Sequence, residues 1–183
     1  VGASLIRLRK TKVIVSELII DLAITQADVQ ALRLTMLDGE LFAYGENDAR
    51  LYRVNPATKQ VTVIMHDNLP HFLAASTPKE QDVIAFLTRD NRLAEYQKST
   101  ASIASRTIDL LPDASLTTMF IYNQRLYTVD TSRNQINKHA RTQTGYDRGT
   151  KWLRDDEVVD LRDAVSLAID GDLFTLKGNG EVM

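Results

Sequence analysis

The sequence predicts an all-β fold, a β-propeller built from four-stranded antiparallel blades that sum to about four blade equivalents in one domain over residues 1–183. Three observations predict it. First, the chain matches itself: Met36-Leu37-Asp38-Gly39-Glu40-Leu41-Phe42-Ala43 reads almost like Ala168-Ile169-Asp170-Gly171-Asp172-Leu173-Phe174-Thr175, each a strand, an Asp-Gly turn and a strand. An Asp-Gly pair between alternating apolar residues specifies a tight type I′ hairpin, because both central positions need positive φ. Second, an apolar marker at Phe42, Ile84, Tyr127 and Phe174 recurs at separations of 42, 43 and 47 residues. Third, a second marker at Leu51, Leu93, Ile136 and Val182 follows each of these by 8 or 9 residues, where a third strand should start. Short antiparallel strands repeating at this period are the pattern of propeller blades, which bury their faces only by stacking side by side.

Taken in order, residues 1–30 hold the end of one blade and a connection. Leu5-Ile6-Arg7-Leu8-Arg9 followed by Thr11-Lys12-Val13-Ile14-Val15 resembles Leu51 to Val54 followed by Lys59 to Val63, so the chain opens on third and fourth strands. The segment Asp21 to Arg33 is expected to hold one or two helical turns, with Thr25 as the cap before Gln26 to Ala31. Blades follow at 31–65, 70–110 and 116–155. The first closes with Gln60 to Ile64, entered through the Asn55-Pro56-Ala57-Thr58-Lys59 turn; in the second, a strand around Asp82 to Phe86 follows a polar connection at Ser76 to Gln81. The third has Asn123-Gln124 at its first turn. Glu46-Asn47-Asp48, Arg89-Asp90-Asn91, Thr131 to Asn134 and Lys177 to Gly180 are turn-tolerant segments. Residues 160–183 start a further blade and stop where a third strand begins. Two architectures fit: a ring closed through its termini in a composite blade, or part of a larger propeller completed by further sequence or by another copy. The second is favoured, because a symmetric partner removes open edges equally well and the start reads as processed or cut.

Composition narrows the function classes. With 44% apolar and 25% charged residues the chain is an ordinary globular protein, neither disordered nor collagenous, and the lack of cysteine removes disulfides, thiolate zinc sites and cysteine nucleophiles. Its 22 basic and 24 acidic side chains give a net charge of −2, without the basic excess of a protein that binds nucleic acid by charge alone. The longest apolar stretch, Val13 to Ile24, is 12 residues long and contains Glu17 and Asp21. A membrane-spanning helix needs about 20 apolar residues, so none is encoded here. The sequence does not specify a compartment.

Leu126-Tyr127-Thr128-Val129-Asp130-Thr131-Ser132-Arg133-Asn134-Gln135-Ile136 resembles the core string of an NHL-type propeller repeat, "LYVxDxxNNRI". Leu161 to Phe174 resembles the "xxPxxIAVDxDGxLYV" portion, with Ala164 where proline is usual. The resemblance covers three or four blades and implies the fold. Such propellers include protein-binding, RNA-binding and, in related six-bladed rings, enzymatic members, so fold does not select an activity.

No metal site and no cofactor are predicted. His66, His71 and His139 fall in different units without a close ligand spacing, the nearest cluster being His66, Asp67 and His71. Asp155-Asp156-Glu157 with Asp160 and Asp163 lacks the alternating spacing of a calcium loop, and the hairpin positions of Asp38 and Asp170 account for them without a channel metal. No nucleophile elbow, phosphate loop, dinucleotide fingerprint or H-E-x-x-H is present, so no catalytic residue is assigned. The basic runs Arg7 to Lys12 and Arg133 to Arg154, the latter with Tyr146 and Trp152, suggest base stacking, but the acidic segment from Asp155 opposes it and nucleic acid is disfavoured.

The most unusual piece is Thr144-Gly145-Tyr146-Asp147-Arg148-Gly149-Thr150-Lys151-Trp152-Leu153, which interrupts the outer hairpin of the 116–155 blade and lengthens its period. Tyr146, Arg148, Lys151 and Trp152 are the expected binding residues of this rim loop, the competing reading being a plug in which the only Trp covers the end of a blade. The expected function is a non-catalytic binding or assembly scaffold that engages a protein partner or itself through rim loops. The alternatives are part of a six-bladed, lactonase-like or hydrolase-like enzyme with a divalent metal in its channel, and a carbohydrate-binding propeller.

Overall fold

The structure, a computed structural model, describes residues 16–65, 71–79, 81–157 and 159–183, and in them the alternating apolar pattern is realised as fifteen strands. The strands predicted at residues 5–9 and 11–15 lie outside the described residues. The first blade is β1 (Arg33–Leu37), β2 (Glu40–Tyr44), β3 (Arg50–Asn55) and β4 (Gln60–Met65), paired in that order and all antiparallel. The second is β5 (Phe72–Ser76), β6 (Val83–Thr88), β7 (Leu93–Gln97) and β8 (Ser102–Ile108). The third contains β9 (Leu116–Tyr122), β10 (Arg125–Asp130) and β11 (Gln135–His139). Two short pieces follow: β12 (Gly145–Tyr146), added to the outer edge of the second blade, and β13 (Thr150–Lys151), which completes the third. A last hairpin is made by β14 (Ala164–Asp170) and β15 (Asp172–Lys177). This is the all-β propeller arrangement, with β1, β5, β9 and β14 as inner strands around a cavity of about 310 Å³ whose lining includes Arg33, Leu34, Thr118, Val165 and Ser166.

Turn chemistry sets the hairpins. Asp38 and Asn123 have φ of 49° and 48°, followed by Gly39 at 74° and Gln124 at 60°, so both inner turns take the two positive φ values of a type I′ turn. The Asp170-Gly171 copy differs: only Gly171 is left-handed, Asp170 pairs directly with Asp172, and the turn is one residue tighter. A one-residue change of register turns a strand over. Ile169, aligned in sequence with Leu37, accordingly packs back on the third blade, whereas Leu37 packs forward on the second.

Packing between blades supplies the core. Leu37, Phe42, Tyr44 and Leu51 meet Phe72, Ile84, Phe86, Ala94 and Tyr96, with Phe72 stacked on Phe86 at 4.2 Å and Phe42 tilted on Tyr96 at 5.2 Å. Ala74, Ala85, Leu87 and Leu93 meet Leu116, Met119, Ile121, Leu126 and Tyr146. Tyr127, Val129 and Ile136 meet Leu161, Ala164 and Leu167. Each fully buried side chain of this kind contributes about 1.5–3 kcal/mol relative to exposure. These junctions correct the first marker of the repeat. Ile84 faces the first blade, so Ala85, not Ile84, occupies the place of Phe42 and Tyr127. The polar connection at residues 77–82 is longer than a two-residue turn and fixes no phase from sequence. The second marker keeps its phase, since Leu51, Leu93 and Ile136 all face the following blade.

Among the described residues helix is confined to one turn, α1 (Leu22–Thr25), and its cap is Asp21, whose carboxylate accepts from the Ala23 amide at 2.9 Å. Thr25 is thus the last helical residue, not the cap. Beyond it the chain is drawn along the first blade: Arg50 reaches Asp28 at 2.8 Å, the Asp48 carboxylate accepts from the Gln30 amide at 2.9 Å, and the Leu32 amide donates to the Tyr44 carbonyl. After the turn at residues 27–28, those bonds hold the chain against the first blade and exclude a second helical turn.

Candidate functional site

The segment after β11 joins two blades. The Thr107 amide donates to the Thr144 carbonyl at 3.2 Å and the Asp109 amide to the Tyr146 carbonyl at 3.1 Å, laying β12 parallel to β8. Gly145 is required there, because a Cβ would sit 1.8 Å from the Thr107 carbonyl oxygen. The chain then reverses around Asp147, whose carboxylate accepts from the Ala140 and Gly149 amides at 2.7 and 3.0 Å. Gly149 has φ of 75°, and β13 returns to β11, where the Trp152 amide donates to the Ile136 carbonyl at 2.7 Å. One loop therefore clasps the outer edges of the second and third blades.

The four residues singled out in this loop are divided by the fold. Tyr146 is buried in the junction between the second and third blades, its hydroxyl accepting from Arg141 at 3.0 Å and its ring lying 5.0 Å from that guanidinium. Burial raises its pKa. Arg148, Lys151 and Trp152 reach the surface. Arg148 donates to Asp109 at 3.1 Å and Lys151 to Asp155 at 3.0 Å. Trp152 stands edge-on to Tyr127 at 5.5 Å with the Lys138 ammonium 5.1 Å from its ring centre.

Asp48, Asp130 and His139 are buried and hydrogen-bonded. Burial alone would raise the Asp48 carboxyl, but the Arg50 side chain, the Gln30 amide and the Tyr52 hydroxyl outweigh it and hold its pKa down. Asp130 is held down in the same way by Ser132, the Ser115 amide and Arg133 against the pull of its own burial. His139 is fully buried; its Nδ1–H donates to the Asp147 carbonyl at 2.7 Å, which leaves Nε2 to accept from the Thr128 hydroxyl at 3.0 Å. Desolvation lowers its pKa. Its contribution to stability is present in full above its ordinary value of about 6.5 and is lost as pH falls through the depressed folded-state value. The urea midpoint is therefore expected to fall between about pH 7 and pH 5, and His139→Gln should flatten that slope.

Sequence reasoning read Asn91 and Asn134 as turn residues, and the structure makes them latches. At φ of 61° and 51° they hold the start of the following blade. The Asn91 carboxamide donates to the Ala114 carbonyl at 2.7 Å and accepts from the Leu116 amide at 3.2 Å, while Asn134 does the same with the Val159 carbonyl and the Leu161 amide. Their spacing of 43 residues is the repeat period, the one signal that marks them in sequence. Asn134→Ala is expected to cost about 1–2 kcal/mol in urea unfolding, since it leaves two backbone groups without partners.

His66 and Asp67 lie outside the described residues, and the His71 Nδ1–H donates to the Glu46 carbonyl at 2.8 Å. The acidic run is engaged in turns and pairs: Asp155 with Lys151, Glu157 with the Arg154 amide, Asp160 with Arg162 and Asp163 with Lys177. Among the described residues no three His, Asp or Glu side chains converge as metal ligands. No helix of the described residues is long and apolar enough to cross a membrane.

The inner hairpins form a second surface at one rim of the channel. A groove of about 410 Å³ is lined by Thr77, Pro78, Lys79 and Gln81 on one side and by Phe120, Tyr122, Asn123 and Gln124 on the other, with Ile169 at its end. A shallower one of about 540 Å³ continues from Thr77 to Gln81 across to Met36 and Asp38.

No protein family matches the chain, and no curated protein is found similar to it. Solved structures are similar in fold. The WD40 repeats of RRP9 share 15% identity and a TM-score of 0.58 over 86% of this chain and 50% of theirs. Sqt1 of Saccharomyces cerevisiae shares 12% at 0.57 over 86% and 46%, and the hydrazine synthase of Kuenenia stuttgartiensis shares 12% at 0.59 over 80% and 42%. The chain spans about half the length of these structures. Joined to the stacked sheets and the shared inner cavity, the likeness shows that the chain has a β-propeller fold.

Proposed function

We propose that this chain is a protein-binding module whose recognition surface is the rim groove between the 77–82 connection and the Asn123-Gln124 hairpin. The observation that carries the reading is the groove itself. It joins the apolar surfaces of Pro78, Phe120, Tyr122 and Ile169 to the hydrogen-bonding side chains of Thr77, Gln81, Asn123 and Gln124, on rigid hairpins beside the channel. Gln124 adds a second indication. It sits at φ 60°, where the equivalent hairpins place Gly39 and Gly171, and a side chain retained at a left-handed position is a local cost that recognition explains. The buried carboxylates and His139 are occupied by structural hydrogen bonds within and between blades, which favours binding over chemistry. The surface of Arg148, Lys151 and Trp152 is a second contact area in this reading, with the only Trp as its aromatic anchor.

The test is chemical cross-linking of the whole chain to captured partners, followed by titration of the purified partner. Tyr122→Ala and Gln124→Gly are expected to weaken binding at least about ten-fold with unchanged circular dichroism. Equal affinity of wild type and both variants would refute the groove. A change in Trp152 fluorescence on titration, together with a loss of affinity in Trp152→Ala, would move the contact to the outer loop.

A further inference from the structure

The third blade departs from the repeat on the face it turns to the second. Ladder register sets Thr128 opposite Asn137 as it sets Phe86 opposite Ala94, and Leu126 opposite His139 as it sets Ile84 opposite Tyr96. Phe86, Ala94 and Tyr96 are buried in the core shared with the first blade. Their counterparts Thr128, Asn137 and His139 are polar. Asn137 is paired in turn with Lys151 on β13, and directly paired residues project from the same face of a sheet. A row of Thr128, Asn137 and Lys151 thus crosses three strands where the second blade has an apolar surface.

Asn137 and Lys151 border a cavity of about 120 Å³, walled on its other side by Leu110, Leu111 and Ala114 of the connection into β9 and by Leu116. Two of its polar groups are already engaged. The Asp130 carboxylate accepts from the Ser115 and Ser132 amides and pairs with Arg133 at 3.0 Å, and both ring nitrogens of His139 are hydrogen-bonded. The Asn137 carboxamide has no hydrogen-bond partner among the described residues. At the mouth, Arg148 and Lys151 are held only by exposed pairs with Asp109 and Asp155, which are weak and open to exchange. An unengaged amide kept where the repeat is apolar, beside a cavity, is a local departure that binding explains. Size and charge give the ligand. The volume lies somewhat below the ~150 Å³ of an apolar cavity that admits benzene, and an aliphatic wall faces an amide and two cations. We propose that this cavity binds a short aliphatic carboxylate of about four carbons, its chain against Leu110, Leu111 and Leu116 and its carboxylate accepting from the Asn137 amide and Lys151. Asp130 does not oppose the ligand, because Arg133 balances its charge. This inference does not depend on the rim groove.

Titration of the 183-residue chain with butyrate, followed by nuclear magnetic resonance, tests it. Saturable shifts of the Asn137 side-chain amide and the Gly149 backbone amide are expected, and butyramide, of the same size but uncharged, should bind at least about ten-fold more weakly. Lys151→Met should weaken butyrate about five-fold. Ala114→Leu fills the cavity from one wall and Asn137→Leu from the other, and each should abolish the Gly149 shift with unchanged circular dichroism. Lys138→Met, on the opposite face of β11 beside Trp152, should leave binding unchanged. The absence of any saturable shift overturns the proposal, as does equal affinity for butyrate and butyramide. So does binding that survives both leucine variants, or one that Lys138→Met weakens as much as Lys151→Met does.

Discussion

Replacing Gly145 with alanine is expected to open the outer seam between the second and third blades and to remove about 3 kcal/mol of unfolding free energy, read as a lower urea midpoint. The added methyl would lie 1.8 Å from the Thr107 carbonyl oxygen, 2.7 Å from its carbon and 2.8 Å from its nitrogen. All three are backbone atoms of a strand paired with β7, so they have little room to retreat. The loop must lift instead. Lifting breaks the bonds from Thr107 to Thr144 and from Asp109 to Tyr146, each worth about 1 kcal/mol net. It also draws Tyr146 out of the cluster it shares with Leu87, Leu116 and Met119. Hydrogen exchange locates the damage: the Thr107 and Asp109 amides should lose protection while β6 and β7 keep theirs. An unchanged midpoint with unchanged protection at Thr107 would show that the clasp does not hold the seam.

The clasp also marks how far sequence reading reaches in this chain. Asp38-Gly39 and Asn123-Gln124 announce their hairpins because a type I′ turn demands particular residues at two adjacent positions, and that demand is local. The forward-facing markers Leu51, Leu93 and Ile136 are legible for a similar reason, since alternation fixes which face they occupy. Ile84 was misplaced by one residue because no tight turn ties it to β5. The pairing of β5 with β6 also shifts register between Phe72 and Ala74. The Asp170-Gly171 hairpin repeats the sequence of its sibling with a different turn, which nothing in eight residues discloses. Least legible is the division of residues 144–153 between two sheets. Two-residue strands carry no period, and the parallel pairing of Gly145 with Thr107 joins residues 38 apart. Only the two glycines hint at it, Gly145 by close approach and Gly149 by its left-handed φ. Of the expected binding residues, Tyr146 is marked in sequence as a hot-spot residue type on an irregular loop, and the same amphipathic ring serves inside a seam, where the Arg141 guanidinium lies 5.0 Å from it.

Removing both arginines from Glu95, by Arg106→Met with Arg141→Met, is expected to cost about 3–5 kcal/mol at neutral pH and to invert the local response to acid. Glu95 lies on β7 facing the third blade, buried, with Arg106 of its own blade donating to one carboxylate oxygen at 2.6 Å and Arg141 of the next donating to the other at 2.6 Å. Burial pushes the carboxyl up, and the two guanidinium groups outweigh that push, so its pKa lies below the ordinary value. In the native chain this contribution is complete above about pH 4.3 and is lost as pH falls through the depressed folded-state value. Without the arginines only desolvation remains and the folded-state pKa rises above the ordinary value. The penalty of the buried charge is then largest at high pH and is relieved as pH falls, because the folded state takes up the proton first. The stability deficit of the double variant against the native chain should therefore narrow between about pH 7 and pH 5 in urea titrations. A control with Glu95→Gln added to the double variant should recover much of the loss at pH 7, since an amide carries no charge to desolvate. A deficit that stays constant or widens toward pH 5 would show that the arginines act through packing, with Arg141 valued for its place over Tyr146 and not for its charge on Glu95.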